Sequence, residues 1–339
     1  MKNIDLKDID KDKWSDFVKD HPKGLIFQTP EMHEVFQGTK NYQPLFVGLA
    51  NNKGEIIGTL SSTIQKEFGG PIGGLTARCV TWGAPLIDNN LDENTRKKAL
   101  TEMLKQQEKT AKSKAIYMEF RNRWDTSKDK TTFEEAGYEY EEELEILIDV
   151  TKNEDELWSG MSKSRRKGIN RAKKLELEFY EHPENESLDK FYTTIVETYD
   201  NVKVPLADVT YFSSARKILG PKNMARYFCV KKDDELLATR IVLTYKDLIF
   251  DWYAGGTEEG KRSYAGEFLV WNILLWGHEN GYKTFAFGGG GKPDEDYGPR
   301  EFKRRFGGLF VNYGRYKKIF KKAKMKIAMM GLKAYKKVK

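Results

Sequence analysis

The chain has 339 residues, 39 % of them hydrophobic, with 19 Phe, 17 Tyr and 7 Trp. This is enough apolar material for two cores of ordinary size and excludes a disordered chain. The net charge of +7 is unevenly placed: eleven of the cations and no acid lie in 315–339, so the other 314 residues hold a net −4. Cys79 and Cys229 each stand alone in an apolar run, which speaks against a disulfide framework or a thiolate metal site and fits reducing cytosol.

The opening MKNIDLKDIDKDKW has no apolar leader, and no run approaches the ~18 apolar residues of a membrane span, so a cytoplasmic chain is expected. A helix is predicted over 11–20, then an extended loop, GLIFQTPEM. PLFVGLA, EIIGTLSSTIQ and LTARCVTWGAPL follow as β-rich runs, the first two joined by an Asn-Lys-Gly hairpin. An amphipathic helix from about 94 to 112 leads to a strand, AIYMEF, and after a Gly turn to a last strand, ELEILIDV. Thr151, three residues before Glu154, has the spacing of a capping box and opens the second half. A dense basic helix, SKSRRKGINRAKK, comes next, then helices near 186–199 and 208–219. The first half's order then returns: a hairpin in ARYFCVKKDDELLATRIVLTY, a strand LIFDWYAGG, an apolar helix GEFLVWNILLWGHENG capped by Gly281, and a strand TFAFGGGG. Strand–strand–strand–helix–strand thus occurs twice. It predicts an α/β (α+β) chain with a mixed sheet flanked by helices in each half.

FQTPEM (27–32), SKSRRKGINRAKK (162–174), AFGGGG (286–291) and EFKRRFGG (301–308), in this order over nearly the whole chain, resemble the Fem-type (FemAB/FemX-like) aminoacyl transferases and their tandem-GNAT relatives. The resemblance implies two tandem GNAT-like domains, 1–150 and 151–314, the second carrying the catalytic loop. A basic amphipathic helix, 315–339, follows them. It implies transfer of an aminoacyl group from aminoacyl-tRNA, with no cofactor or metal, to an amine of a cell-wall precursor peptide or similar acceptor, by a monomer. It also places Phe302 and Lys303 at the reacting centre. Met32 stands where the family usually has an aromatic residue, and the long helical hairpin of strong tRNA binders is missing between the halves.

The residues themselves suit acyl transfer. A fixed cation beside a developing oxyanion contributes on the order of 3–4 kcal/mol where water is excluded, and Lys303 is placed for that role. Arg300, Arg304 and Arg305 add charge around it. Gly289 and Gly290, in GGGGKPDEDYGPRE, allow close backbone approach to a substrate, and Trp252 and Tyr253 are expected to line the pocket. Asp294, Glu295 and Asp296 are read as solvated loop acids. Lys163, Arg165, Arg166, Lys167 and Arg171 form a basic helix suited to tRNA phosphate or a diphosphate. Lys261 and Arg262 precede a helix start that can take an anion. Their segment, EGKRSYAGEF, matches poorly the Arg/Gln-x-x-Gly-x-Gly/Ala loop that holds CoA pyrophosphate, so CoA is the less favoured donor. In the tail, Tyr316, Phe320, Ala323, Ile327, Met330, Ala334 and Val338 recur every three or four residues among lysines. The stripe is suited to an anionic membrane, peripheral at its inner face, or to tRNA, or to docking on the first domain. Two other functions stay open: an acyl-CoA-dependent N-acyltransferase acting on a sugar or lipid-linked substrate, and a non-catalytic tandem GNAT that binds nucleic acid or membrane.

Overall fold

A computed structural model describes residues 1–67 and 73–338, with side chains described to residue 331. The chain divides into two compact units. Unit 1 is Met1–Glu142, Thr210–Ser214 and Tyr313–Lys339, and unit 2 is Glu143–Val209 and Ala215–Asn312.

The sheet of unit 1 is built from β1 (Lys2–Ile4), β2 (Tyr42–Ala50), β3 (Ile56–Gln65), β4 (Arg78–Trp82), β5 (Leu86–Ile87), β6 (Tyr117–Arg121), β7 (Glu139–Glu141) and, from the far end of the chain, β15 (Arg315–Ile319). Their order is β1-β2-β3-β4-β6-β15-β7, with β5 on β3. β4 and β6 run parallel and stay paired from Arg78↔Tyr117 to Trp82↔Arg121. Helix Glu93–Lys114 makes the crossover between them and buries Leu100, Met103 and Leu104 on the sheet. The segment expected as an extended loop is instead a 3-10 turn, Ile26–Gln28, followed by helix Pro30–Gln37. Thr29 Oγ1 accepts from Met32 N–H and Pro30 sits in the first turn, where its missing N–H costs nothing.

Two expected boundaries move. The strand ELEILIDV, assigned to the first half, is β8 (Leu144–Asp149) and pairs in the second sheet, so unit 2 starts at Glu143 rather than at 151. Residues 315–319, expected to be helical, form β15 between β6 and β7. Tyr316 is 1 % exposed and its ring stacks on Phe133 at 4.1 Å, so it belongs to the core of unit 1. The tail helix proper is Lys322–Val338; the Ala334 and Val338 side chains and residue Lys339 lie outside the described residues.

Unit 2 holds β8, β9 (Glu178–Glu181), β10 (Ala225–Lys232), β11 (Glu235–Tyr245), β12 (Leu248–Gly256), β13 (Thr284–Gly289) and β14 (Leu309–Asn312), in the order β14-β8-β13-β12-β11-β10-β9. Helices Lys163–Lys174 and Ala265–Glu279 cover one face, burying Ile169, Leu269, Val270 and Trp271 in a core with Phe285 and Phe287. The opening helix of this half, Glu154–Gly160, is capped by a box between Asn153 and Glu156, two residues later than the expected Thr151–Glu154 pair. Gly281 does end the Ala265–Glu279 helix, at φ 75°, its N–H reaching the His278 carbonyl.

Tyr316→Ala should destabilise unit 1 by about 3 kcal/mol or more, the cost of emptying a fully packed aromatic site. A urea titration checks this, and a loss below about 0.5 kcal/mol would mark the residue as a surface one. A second expectation concerns His33, which is buried and held neutral, its pKa lowered to about 4 by desolvation. Because the unfolded imidazole takes its proton near 6.5, stability is full above that pH and falls as pH drops toward 4. His33→Gln should flatten the pH dependence of the urea midpoint between about pH 7 and 5, and parallel curves would exclude His33 as the group responsible.

Candidate active site

The second parallel pair behaves differently from β4 and β6. β12 and β13 are paired only from Leu248↔Thr284 to Phe250↔Ala286. Beyond that point β12 continues to Gly256 and β13 to Gly289 without pairing each other, so the sheet opens and backbone groups at its centre need other partners. Lys303 supplies one set. Its Nζ donates to the Phe287 carbonyl at 2.8 Å and to the Gly289 carbonyl at 2.7 Å, placing the ammonium at the point where the strands separate.

Lys303 lies on helix Gly298–Arg304, where the sequence suggests a turn. Two further contacts hold that helix. Arg300 Nη1 donates to the Lys292 carbonyl at 2.6 Å and Nη2 to the Glu295 carbonyl, stapling the acidic loop to the helix. Arg165 Nη2 donates to the Phe302 carbonyl at 2.7 Å, and Nη1 lies 2.6 Å from Glu267 Oε1. The Arg165 guanidinium also sits 4.3 Å from the ring centroids of both Phe302 and Phe306. Phe306 is buried against Phe287, so the ring pair anchors the helix to the opening strand. After Phe306 the chain turns through Gly307 (φ 86°) and Gly308 (φ 95°) into β14. A Cβ at Gly308 would stand 2.6 Å from the Leu147 carbonyl oxygen, so only glycine allows this approach.

The predicted residues therefore separate by role. Lys303, Phe302, Gly289 and Gly290 come together, with Gly290 N–H paired to the Leu144 carbonyl. Tyr253 and Trp252 lie on the part of β12 that has left β13 and stays paired to β11, half-buried, their rings 5.1 Å apart, with Tyr199 packed at 5.8 Å from Tyr253. Arg304 is exposed and paired with Glu301 at 2.8 Å; Arg305 is exposed. Arg165 is corrected from a phosphate ligand to an internal brace, because its side chain is 4 % exposed and both of its ends are engaged. The other cations of its helix, Lys163, Lys167 and Arg171, are on the exposed side, and Arg166 is half-buried. Lys261 and Arg262 are exposed and each pairs with an acid three residues earlier, Glu258 and Glu259. Lys163, Lys167 and Arg171 thus share one surface and the Lys303 group another environment.

Sequence reasoning missed one buried pair. Arg240 on β11 and Asp251 on β12 form an ion pair with side chains 7 % and 9 % exposed. Asp251 directly follows Phe250, the last residue of β12 paired to β13. The available signal was a lone charge inside each of two apolar strands, TRIVL and LIFDWY. Tyr264, also passed over, adopts φ 62° at the start of helix Ala265–Glu279. Its ring fills the space beside Gly168, where a Cβ would lie 2.7 Å from it, and the Arg171 guanidinium lies 5.2 Å from its centroid, with Nη1 donating to its hydroxyl at 3.3 Å.

Residues 159–304 match the family model described as an acetyltransferase (GNAT) domain. Over 307 residues the chain is 22 % identical to the UDP-N-acetylmuramoylpentapeptide-lysine N(6)-alanyltransferase of Weissella viridescens, covering 82 % of this chain and 83 % of the relative. A crystal structure of FemX superimposes with a TM-score of 0.72 at 16 % identity, covering 96 % of this chain and 99 % of that one. The chain has the fold of the tandem GNAT proteins and is similar to the Fem-type transferases. The same fold recurs in L-PGS from Bacillus licheniformis (TM-score 0.58, 15 % identity, 95 % and 96 % covered). It recurs again in a tandem GNAT protein of the clavulanic acid pathway (0.58, 10 %, 91 % and 94 %). The GNAT match ends at residue 304, just past Phe302 and Lys303, and includes the opened strands. Within this fold, the point where β12 parts from β13 lies beside Lys303.

Arg165→Ala should destabilise unit 2 by about 3 kcal/mol, because the packing on Phe302 and Phe306 is emptied and the half-buried Glu267 and the Phe302 carbonyl lose their partner. Lys167→Ala, two residues along the same helix and exposed, should change stability by less than about 0.5 kcal/mol. Thermal melts of both variants test this, and equal effects would contradict the bracing role.

Proposed function

We propose that the chain forms an amide bond by moving an aminoacyl group from aminoacyl-tRNA to an amine of a cell-wall precursor peptide or a similar acceptor. The observation that carries the proposal is the Lys303 ammonium fixed by two carbonyls, Phe287 and Gly289, where β12 leaves β13. The named activity of the Weissella viridescens relative, alanyl transfer to a lysine of UDP-N-acetylmuramoylpentapeptide, supports the reaction class.

The chemistry follows from charge. The neutral acceptor amine attacks the carbonyl carbon of the aminoacyl ester, and negative charge collects on the carbonyl oxygen. The C–O bond to the ribose then breaks, the amine nitrogen gives up a proton and the ribose oxygen gains one. A cation already positioned by backbone carbonyls stabilises the oxyanion without reorganising during the step. Phe302 shields it from one side, through its packing on Phe306, and so lowers the local dielectric. Trp252 and Tyr253 offer apolar walls with polar edges for the aminoacyl group or the acceptor peptide. The exposed cations Lys163, Lys167 and Arg171 are assigned to the tRNA backbone, with Lys261 and Arg262 nearby in the same role once their acids are displaced.

CoA is disfavoured as donor by Tyr264. A pyrophosphate cradle needs bare backbone amides at the start of helix Ala265–Glu279. Here the residue at the left-handed position carries a tyrosine ring packed between Gly168 and Arg171.

Incubating the chain with charged tRNA or with acyl-CoA and a panel of amine acceptors should release free tRNA and not CoA; release of CoA alone would sink the proposal. Lys303→Met should lower kcat/KM by about 10²- to 10³-fold while substrate binding stays within about threefold. A variant that keeps full turnover would remove Lys303 from the reaction.

A further inference from the structure

The tail helix Lys322–Val338 presents its apolar side outward. Ala323, Ile327 and Met330, at i, i+4 and i+7, share one face. Ile327 is 49 % exposed, Met330 62 %, and the neighbouring Met329 51 %. Met325 and Ala328, on a different side of the helix, are the half-buried positions. Docking of the 323–327–330 stripe on the first domain, one of the sequence-based expectations, is therefore not what the fold does. The helix turns other residues inward and leaves the stripe in solvent. Lys322 and Lys326 flank the stripe on one side and Lys324 on the other, and all three are exposed. Residues 315–339 contain no acid, and the crowding shows in Lys321, whose pKa is lowered by burial and by Lys324.

We propose that this helix is a docking surface for a bilayer carrying anionic lipid, lying in the head-group plane with Ala323, Ile327 and Met330 facing the acyl chains. Seventeen residues make a helix about 25 Å long, too short and too charged to cross ~30 Å of hydrocarbon but suited to the interface. Charge complementarity selects an anionic surface, each lysine near it adding attraction that salt screens. A lipid partner fits better than RNA. Among the described residues the apolar groups of the outward stripe are Ala323, Ile327 and Met330, with no aromatic ring or guanidinium among them for a base to stack on. All cations of 322–338 are lysines, which are hydrated point charges without the planar fork that grips phosphate. The strand β15 directly before the helix is hydrogen-bonded on both sides, so the helix leaves unit 1 from a fixed point. The proposal is independent of which donor or acceptor the site uses.

The test uses the full chain. Flotation with vesicles containing about 30 % phosphatidylglycerol should carry the protein at low salt, and vesicles of phosphatidylcholine alone should not. Ile327→Asn with Met330→Asn, and separately Lys322→Glu with Lys326→Glu, should each cut the bound fraction by about tenfold or more. All four positions are exposed, so melting temperatures should be unchanged, and a variant that melts early is replaced by the other pair. A direct readout is also available: both native cysteines are buried, so Met330→Cys can be labelled selectively with an environment-sensitive dye. A blue shift on adding anionic vesicles supports insertion. Wild-type flotation in the double variants, equal flotation with neutral vesicles, or an unshifted dye would overturn it. Retained vesicle binding in the lysine variant with loss of binding to total tRNA would instead identify an RNA surface, which also overturns it.

Discussion

A guanidinium packed against a pair of phenyl rings is the constraint on which the site of unit 2 rests. Arg165 comes from helix Lys163–Lys174, Glu267 from helix Ala265–Glu279, and Phe302 with Phe306 from the segment that bears Lys303. One side chain thus fixes three pieces of chain to each other. Burying such a charge is costly unless it is paired, and here a carboxylate and a carbonyl take its two terminal nitrogens and two rings pack against it. Burial lowers the pKa of Arg165, with Glu267 opposing the shift. Because Arg165 also binds the Phe302 carbonyl, the helix carrying Lys303 cannot rotate without breaking a buried charged contact. The precision with which the Lys303 ammonium meets the Phe287 and Gly289 carbonyls is inherited from that brace.

The two sheets use one topology for different ends. In unit 1 the parallel pair β4–β6 stays zipped along its length, and β15 adds a further antiparallel partner to β6. In unit 2 the equivalent pair parts after Phe250 and Ala286, and a glycine strand end, a short helix and a lysine occupy the gap's rim. The difference is one of hydrogen-bond accounting. The Phe287 and Gly289 carbonyls of β13 find a partner in the Lys303 ammonium, while β8, the neighbour on the side away from β12, pairs with Thr284–Ala286 and again at Gly289 after a break.

Much of this was legible from residue order. The strand sequence of both halves, the hairpins and the Gly281 helix end follow from apolar runs and turn residues, and the four stretches shared with Fem-type chains led to the Lys303 region. Other parts were not legible, for definite physical reasons. Tyr316 and Phe320 are four apart, a spacing that lies on one face of a helix and equally on one face of a strand, so periodicity could not separate β15 from the helix that follows. β8 is contiguous with the first half in sequence but its pairing partners, β13 and β14, come more than a hundred residues later, and pairing partners are not encoded locally. Arg165 sits in a run of exposed cations with the same composition. What distinguishes it is a glutamate and two rings brought in by the fold, which no window of sequence contains. The Arg240–Asp251 pair was hidden in the same way.

The placement of β15 sets an order of events during synthesis. Asn122 Nδ2 donates to the Tyr313 carbonyl, across 191 residues of chain, and β15 then lies between β6 and β7. A nascent chain emerging from a ribosome would expose the facing edges of β6 and β7 until residues 315–319 had been made. Unit 1 begins first and is completed last, while the strands of unit 2 are all available before β15 appears. Such an arrangement favours early completion of the half that carries Lys303, and leaves unpaired strand edges that cellular chaperones would have to cover in the meantime.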